Sequence, residues 1–261
     1  MTRIVLAAAS SAILLVASLY GLSRSETRAV DRKSLVLFCA ASNRAVIEDA
    51  RAEYERDYGI AVQVQYGASQ TLLSSIEVSG AGDLYLPADE SYLDIAESRS
   101  LLRERFPIAR MKVVLVVRKG NPHAIASLKD LTRNDVRLVQ GAPDAAAIGK
   151  IVRESLLASG DWAAVEGATV AFRATVTEVA NDVALGAADA GFIYDVMLSQ
   201  YPGLEAIAFP EMAQVSTRVS IATLASTSQP EAAARFANFL TSSGAGHKHY
   251  AKHGFDVPHD E

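Results

Sequence analysis

The sequence predicts an α/β protein made of two lobes, and two observations lead to this prediction. After residue 34, short apolar segments alternate with amphipathic ones, as strands and helices do in a mostly parallel sheet. Two long apolar strands, predicted at residues 111–118 and 215–224, flank a separate succession of helices and strands. The chain is therefore expected to form a discontinuous first lobe and an inserted second lobe, joined by two crossing strands that act as a hinge.

The lobe boundaries follow from these two strands. Residues 34–114 and 220–257 are expected to form the first lobe, and residues 115–219 the second. A chain of 261 residues is long enough to bury a substantial core in such an arrangement.

The first lobe begins with a βαβαβα succession, which favours a largely parallel sheet with right-handed crossovers. Gly59 follows the first predicted helix and is typical of a helix C-cap. Ligands bind such sheets at the carboxyl ends of the strands. The strands are predicted at 35–40, 61–66 and 84–87, and the helices at 44–58, 71–79 and 91–98.

The second lobe is predicted to repeat this alternation, and the C-terminal part of the chain to return to the first lobe. Its helices are predicted at 127–131, 149–159 and 176–185, and its strands at 136–140, 170–171 and 190–194. The returning part contains a helix at 230–242 and a tail at 250–257.

The N-terminal residues have the layout of an export signal. Arg3 precedes an uncharged stretch at residues 4–23, and a polar, charged run follows at 24–28. No clean Ala-x-Ala cleavage site precedes that run, and about twenty apolar residues also suffice to span a bilayer. Residues 1–30 are therefore predicted to be either a cleaved signal peptide or a retained membrane anchor, and in both cases the protein is exported.

Composition excludes several classes of function. A formal net charge of −5 provides no basic face, so nucleic acid is not expected as a partner. The single cysteine, Cys39, excludes an intramolecular disulfide and a multi-cysteine metal cluster. It lies in an apolar run and is expected to be a buried thiol.

The sequence shows no pattern of a catalytic or metal site. His247, His249 and His253 lack a carboxylate or cysteine close in sequence that would complete a four-ligand set, and they are expected to be solvated. The acidic residues at 83–94 fit a strand end and a helix cap better than paired catalytic carboxylates. No Gly-x-Ser-x-Gly, P-loop or His-Glu-x-x-His motif is present. The protein is not expected to be an enzyme, and no cofactor or directly bound metal cation is predicted.

Four short segments place hydroxyl residues or glycine beside predicted helix starts. Helix N-termini and hydroxyl groups together can hold an oxyanion without a charged side chain. The segments are Ala40-Ala41-Ser42-Asn43, Tyr66-Gly67-Ala68-Ser69-Gln70-Thr71, Gly141-Ala142-Pro143-Asp144 and the run at 186–195.

These segments resemble the periplasmic molybdate-binding proteins of ABC importers. Three of the matches are Ala40-Ala41-Ser42, Tyr66-Gly67-Ala68-Ser69 and the run at 82–94; the runs at 186–195 and 252–257 match in the same order and spacing. The similarity extends over residues 35–257. It implies a type II periplasmic-binding-protein fold and an extracytoplasmic protein that captures molybdate or tungstate and delivers it to an ABC permease. A monomer is expected.

The resemblance also implies five ligand contacts. Ser42 and Ser69 match serines that present hydroxyl groups from the first lobe, and Tyr194 matches a tyrosine whose hydroxyl points at the anion. Val176 and Ile148 match positions that contribute backbone NH groups. Relatives tend to carry a proline and a small residue near Ile148, so the bulkier side chain is expected to narrow or reshape the cleft.

Each of these residues also has an ordinary structural explanation. Ser42 and Ser69 precede predicted helices and would serve as N-caps, and Tyr194 would serve as a core aromatic residue between the lobes. Two alternative functions stay open: a binding protein for a different oxyanion or small solute, and a membrane-tethered ligand sensor, which a retained segment at 4–23 would favour.

Overall fold

The computed structural model describes residues 34–258, which belong to one compact unit. The predicted signal peptide or anchor lies outside the described residues. Within the described range, no helix has the length and apolar character needed to cross a membrane.

The described chain alternates helices and strands as predicted, apart from the short elements discussed below. The strands are β1 Leu35–Ala40, β2 Val62–Gly67, β3 Leu84–Leu86, β4 Leu102–Arg118, β5 Leu138–Gly141, β6 Thr169–Arg173, β7 Ala190–Tyr194, β8 Leu204–Ile207 and β9 Ser216–Leu224. The α-helices are α1 Arg44–Tyr58, α2 Ser69–Ser79, α3 Ser91–Ser98, α4 Ala147–Ser159, α5 Trp162–Ala168, α6 Val176–Ala184, α7 Pro230–Thr241 and α8 Gly246–Lys252. Short 3-10 helices lie at Ala41–Asn43, Leu128–Thr132, Asp195–Gln200 and Pro210–Met212.

The strands form a sheet in the order β2-β1-β3-β9-β4-β7-β5-β6, with β8 paired to β4. β1 is parallel to both β2 and β3, and β5 is parallel to both β6 and β7. β9 and β4 run antiparallel to their neighbours and connect the two parallel parts. The predicted α/β class is therefore confirmed, but the sheet is mixed: the expectation of a largely parallel sheet holds for β1–β3 and β5–β7 and not for β4, β8 and β9, which pair antiparallel.

β4 is longer than the sequence indicated, because it begins at Leu102 and not at Met111. Charged residues at 103–105 and Pro107 interrupt the apolar pattern, yet this segment pairs with β9, with register shifts near both places. Further along, β4 pairs with β7 at residues 113–117. One strand thus pairs with β9 on the side of the first parallel part and with β7 of the second, and the division into two lobes at residue 114 stays a prediction.

Three short helices and strands, α5, β8 and α8, were not predicted, and neither were the 3-10 helices at Ala41–Asn43, Asp195–Gln200 and Pro210–Met212. α8 falls in a stretch that contains Gly246 and histidines, which has little apolar periodicity. The prediction of solvated histidines there was wrong: His249 Nε2 lies 2.8 Å from Glu53 Oε2, and His253 Nε2 lies 3.0 Å from Asp49 Oδ2. Both carboxylates belong to α1, which is distant in sequence and adjacent in the fold.

The helix α7 packs against α1, which belongs to the residues to which this part of the chain was predicted to return. The ring of Tyr54 contacts Phe236 and Phe239, with centroids 4.9 and 5.2 Å apart. Aromatic contacts of this kind add stability beyond the burial of apolar area. Cys39 is fully buried beneath this layer of helices, in agreement with the prediction of a core thiol.

Candidate functional site

A small cavity lies where the carboxyl ends of β1 and β2 meet the starts of several helices. Its volume is about 20 Å³, slightly more than the 10–15 Å³ or so that one enclosed water requires. The lining consists of Ala40, Ala41, Ser42, Gly67, Ala68, Ser69, Ala88, Ala146, Ala147, Ile148, Thr175, Val176 and Tyr194.

The structure brings all five predicted site residues together around this cavity. Ser42 and Ser69 come from the elements that follow β1 and β2, and Ile148, Val176 and Tyr194 come from α4, α6 and β7. Residues far apart in the chain thus face one space. Their contact with a ligand stays a prediction.

Three of the helix starts around the cavity have alanine at the N-cap position. Ala40 precedes the 3-10 turn that leads into α1, Ala68 precedes α2 and Ala146 precedes α4, and none of the three starts has a side-chain cap. Alanine is a poor N-cap because it has no oxygen to accept from the first NH groups of the helix. These starts therefore rely on other acceptors for their NH groups, and all three alanines line the cavity.

The fourth helix start, that of α6, carries a conventional cap. Thr175 Oγ1 accepts from the Glu178 NH at 3.3 Å, and the Glu178 carboxylate accepts from the Thr175 NH at 2.8 Å. An N-cap side chain accepts a hydrogen bond from the second or third NH group of a helix and makes none with the first NH group. That first NH belongs to Val176, the residue predicted to donate it to the ligand.

The two serines are not N-caps, so their ordinary structural explanation fails. Ser69 is the first residue of α2, and its Oγ accepts from the Ala88 NH at 3.1 Å. Ser42 lies inside the 3-10 turn, and its Oγ lies 3.5 Å from Asn43 Nδ2, at the limit of a hydrogen bond. A hydroxyl that accepts one bond still has a proton to donate. Both serines are buried and line the cavity.

Tyr194 is 1% exposed, and its hydroxyl has no hydrogen-bond partner in the described part of the chain. Burial raises the pKa of this hydroxyl well above its ordinary value, and the nearby Asp89 and Tyr92 raise the pKa further. Tyr194 therefore keeps its proton at neutral pH and presents a donor. An unsatisfied buried hydroxyl is costly, so this donor calls for a partner in the cavity.

The positive potential at the cavity comes from helix dipoles. No residue in its described lining carries a charged side chain. The N-termini of α2, α4 and α6 each contribute the partial positive charge of a helix dipole. Hydroxyl and NH donors aimed at one point are suited to an anion that only accepts hydrogen bonds.

Ile148 fits the site because two glycines make room around it. A Cβ atom on Gly141 would lie 2.7 Å from Ile148 Cγ2, so the isoleucine side chain packs over the end of β5. A Cβ atom on Gly149 would lie 2.2 Å from the Gly141 carbonyl oxygen, so α4 starts directly against this strand. The bulk of Ile148 is thereby buried at 1% exposure.

Sequence reasoning missed Thr175 and the cavity-lining alanines. Thr175 followed three residues later by Glu178 is a capping-box pattern that marks the start of α6. Ala40, Ala68 and Ala146 carry a weaker signal: each stands where a helix start would favour serine, threonine, aspartate or asparagine.

The fold and the cavity define a solute-binding protein of the type II periplasmic-binding-protein class. The family model for bacterial extracellular solute-binding proteins matches residues 35–256, and the chain belongs to this family. The family consists of solute-binding proteins and not of enzymes.

Relatives with curated descriptions agree with the predicted resemblance. The chain is 30% identical over 229 residues to the molybdate-binding protein ModA of Mycobacterium bovis, covering 87% of this chain and 85% of that protein. It is 27% identical over 198 residues to the putative ABC transporter substrate-binding lipoprotein YvgL of Bacillus subtilis, covering 74% of this chain and 75% of that protein.

Solved structures confirm the fold. The periplasmic molybdate-binding protein of Azotobacter vinelandii superposes with a TM-score of 0.73 at 18% identity, covering 87% of this chain and 100% of that chain. The sulfate-binding protein SubI of Mycobacterium tuberculosis gives a TM-score of 0.68 at 19% identity, covering 85% of this chain and 86% of that chain.

Proposed function

We propose that this protein captures molybdate, or the closely similar tungstate, between its two lobes and delivers it to an ABC permease. The 30% identity to ModA over most of both chains supports molybdate as the ligand. The observation that carries the proposal is the cavity at the uncapped helix starts, which the buried residues Ser42, Ser69 and Tyr194 line.

The chemistry of the cavity suits a tetrahedral dianion. The oxygens of molybdate accept hydrogen bonds and donate none when unprotonated. Ser42, Ser69 and Tyr194 would donate hydroxyl protons, and Ile148 and Val176 would donate backbone NH groups from helix starts. Each of these donors would then be satisfied by one of the anion's oxygens.

The same donor set would discriminate between anions. Sulfate is smaller than molybdate, so it would leave some donors at poor distances. Phosphate carries a proton at neutral pH, which would need an acceptor in a lining rich in donors. One unpaired buried group costs about 1 to 3 kcal/mol, which corresponds to roughly ten- to hundredfold weaker binding.

Ligand capture would draw the predicted lobes together, because the proposed contacts come from both. Ser42 and Ser69 belong to residues 34–114, and Ile148, Val176 and Tyr194 belong to residues 115–219. In this proposal the protein works outside the cytoplasm as a monomer, after its N-terminal segment has directed export or anchored it.

A different small oxyanion is the second candidate ligand. Ile148 stands where relatives tend to carry a smaller residue, and a neighbour in fold is described as sulfate-binding.

Calorimetric titration with molybdate, tungstate, sulfate and phosphate tests the proposal. We expect one-to-one binding of molybdate or tungstate that is at least tenfold tighter than binding of sulfate or phosphate. Ser42→Ala and Ser69→Ala are each expected to weaken it roughly ten- to hundredfold by removing a donor. Ser74→Ala, an exposed serine on the same helix as Ser69, serves as the control and is expected to bind as the wild type. Absence of heat with all four anions would contradict the proposal.

A further inference from the structure

Two contacts join the predicted lobes immediately beside the cavity. Lys150 Nζ donates to Ser91 Oγ at 2.8 Å, and the Gln70 NH donates to the Ala145 carbonyl at 3.2 Å. Lys150 lies two residues after Ile148, and Gln70 follows Ser69. The segments that present ligand donors from opposite sides are therefore also bonded to each other directly.

The Lys150 contact continues toward one of the strands that connect the lobes. Ser91 Oγ donates to the Asp89 carboxylate, and the Ser91 NH donates to the same carboxylate at 3.0 Å. The other Asp89 oxygen accepts from Thr217 Oγ1, on β9, at 2.6 Å. A continuous chain of hydrogen bonds thus runs from the first turn of α4 to β9.

The position of Lys150 is unfavourable for its own helix. A cation in the first turn faces the positive end of the helix dipole, where acidic residues are preferred. The ammonium group is instead stabilised from the opposite lobe, by Ser91 with Asp89 behind it and by the ring of Tyr92, whose centroid lies 5.4 Å from Nζ. The contacts that explain this lysine lie across the cleft.

We propose that Lys150 is a latch that holds the closed arrangement and so prolongs the residence of the bound oxyanion. This inference rests on the proposed function. The latch contact joins the two predicted lobes beside the cavity, and it must break before a bound anion can leave, so it acts on the rate of release. A lysine that only attracted the anion at long range would act on the rate of association.

Stopped-flow kinetics with molybdate separate these two roles. Lys150→Met keeps an unbranched apolar side chain and removes the ammonium group. We expect the dissociation constant to rise about three- to tenfold, carried by faster release, with the association rate constant within about twofold of the wild type. Lys248→Met, an exposed lysine on α8, removes the same charge and is expected to change neither rate. An unchanged release rate, or an effect confined to association, would overturn the latch.

A measurement without ligand separates failure of the latch from failure of the proposed function. Spin labels at Val78→Cys and Leu185→Cys report the distance between the predicted lobes, since these side chains are 90% and 84% exposed, whereas Cys39 is fully buried. Lys150→Met is expected to shift the distance distribution to larger values. If the wild type binds no molybdate, the proposed function fails while this shift still supports the latch. An identical distribution in both proteins would refute the latch.

Discussion

At the scale of single residues, Tyr194 is the most informative side chain of the site. Its hydroxyl is buried without a partner in the described chain, and burial keeps it protonated by raising its pKa. Tyr85, by contrast, is equally buried and donates to the Ser69 carbonyl at 2.8 Å. Two similar tyrosines near one cavity therefore differ in whether the hydroxyl group has a hydrogen-bond partner in the ligand-free protein.

This difference predicts opposite effects of removing the two hydroxyls. Tyr194→Phe is expected to stabilise the ligand-free protein by about 1 kcal/mol and to weaken molybdate binding roughly tenfold. Tyr85→Phe is expected to destabilise the protein by about 1 kcal/mol, because it breaks a buried hydrogen bond. Chemical denaturation without ligand, followed by titration, measures both quantities. Loss of stability in Tyr194→Phe would indicate that its hydroxyl already has a partner.

A second prediction at the scale of single residues concerns Asp189, the residue immediately before β7. Its carboxylate accepts from the Arg137 side chain at 2.8 and 3.0 Å and from the Arg137 NH at 2.9 Å. The hydrogen bond from the Arg137 side chain is the main cause that lowers the pKa of Asp189, and burial opposes it.

The lowered pKa fixes the direction of the pH dependence. A carboxyl group whose pKa is lower in the folded state contributes stability above its ordinary pKa of about 3.9, and this contribution disappears as the pH falls through the lowered value. Asp189→Asn is expected to cost about 1 to 3 kcal/mol at pH 7. In denaturation experiments the difference in free energy of unfolding between Asp189→Asn and the wild type should disappear below about pH 4. A difference in free energy of unfolding that stays constant down to pH 2 would contradict this account.

At the scale of elements, the site depends on how closely α4 starts against β5. Gly149 faces the Gly141 carbonyl, and an added Cβ atom would lie 2.2 Å from its oxygen. That contact is with backbone, so the whole start of the helix would have to move. Gly167 on α5 also lies in a helix, and nothing stands within 4 Å of an added Cβ atom there.

These two glycines form a matched pair for substitution. Gly149→Ala is expected to destabilise the protein by about 2 kcal/mol through overpacking, and to weaken molybdate binding more than tenfold by displacing the Ile148 NH. Gly167→Ala is expected to leave binding unchanged and to stabilise the protein by up to about 1 kcal/mol, since alanine favours a helix. Thermal unfolding and titration of both variants check this. Wild-type affinity in Gly149→Ala would show that the start of α4 makes no contact with the ligand.

The sequence predicted most elements because their apolar periodicity and caps are local properties. The first part of β4 escaped prediction because it owes its strand conformation to β9, far away in sequence, and its own residues include Arg103, Glu104 and Pro107. The pairing of His249 and His253 with α1 was missed for the same reason. The sequence did not indicate that α2 and α4 start directly after Ala68 and Ala146, because neither helix has the side-chain cap that marks a helix start in sequence.

At the scale of the whole molecule, the five predicted site residues come from family resemblance, whereas the chemistry of hydroxyl groups beside helix starts indicated only the segments that contain Ser42, Ser69 and Tyr194. Serine, tyrosine, isoleucine and valine are common core and cap residues, and nothing in their spacing distinguishes a ligand site. The fold supplies the missing information by placing the ends of several elements around one cavity. What sequence alone could not predict is that the buried Tyr194 hydroxyl beside this cavity has no hydrogen-bond partner in the described chain, because this depends on contacts across the whole sheet.

A crystal structure of the protein grown with molybdate tests the central claim most directly, because anomalous scattering locates molybdenum independently of the protein. The account predicts one strong anomalous peak inside the cavity, with oxygens within hydrogen-bond distance of the Ser42, Ser69 and Tyr194 hydroxyls and of the Ile148 and Val176 NH groups. A peak elsewhere, or none in the cavity at saturating molybdate, would contradict it.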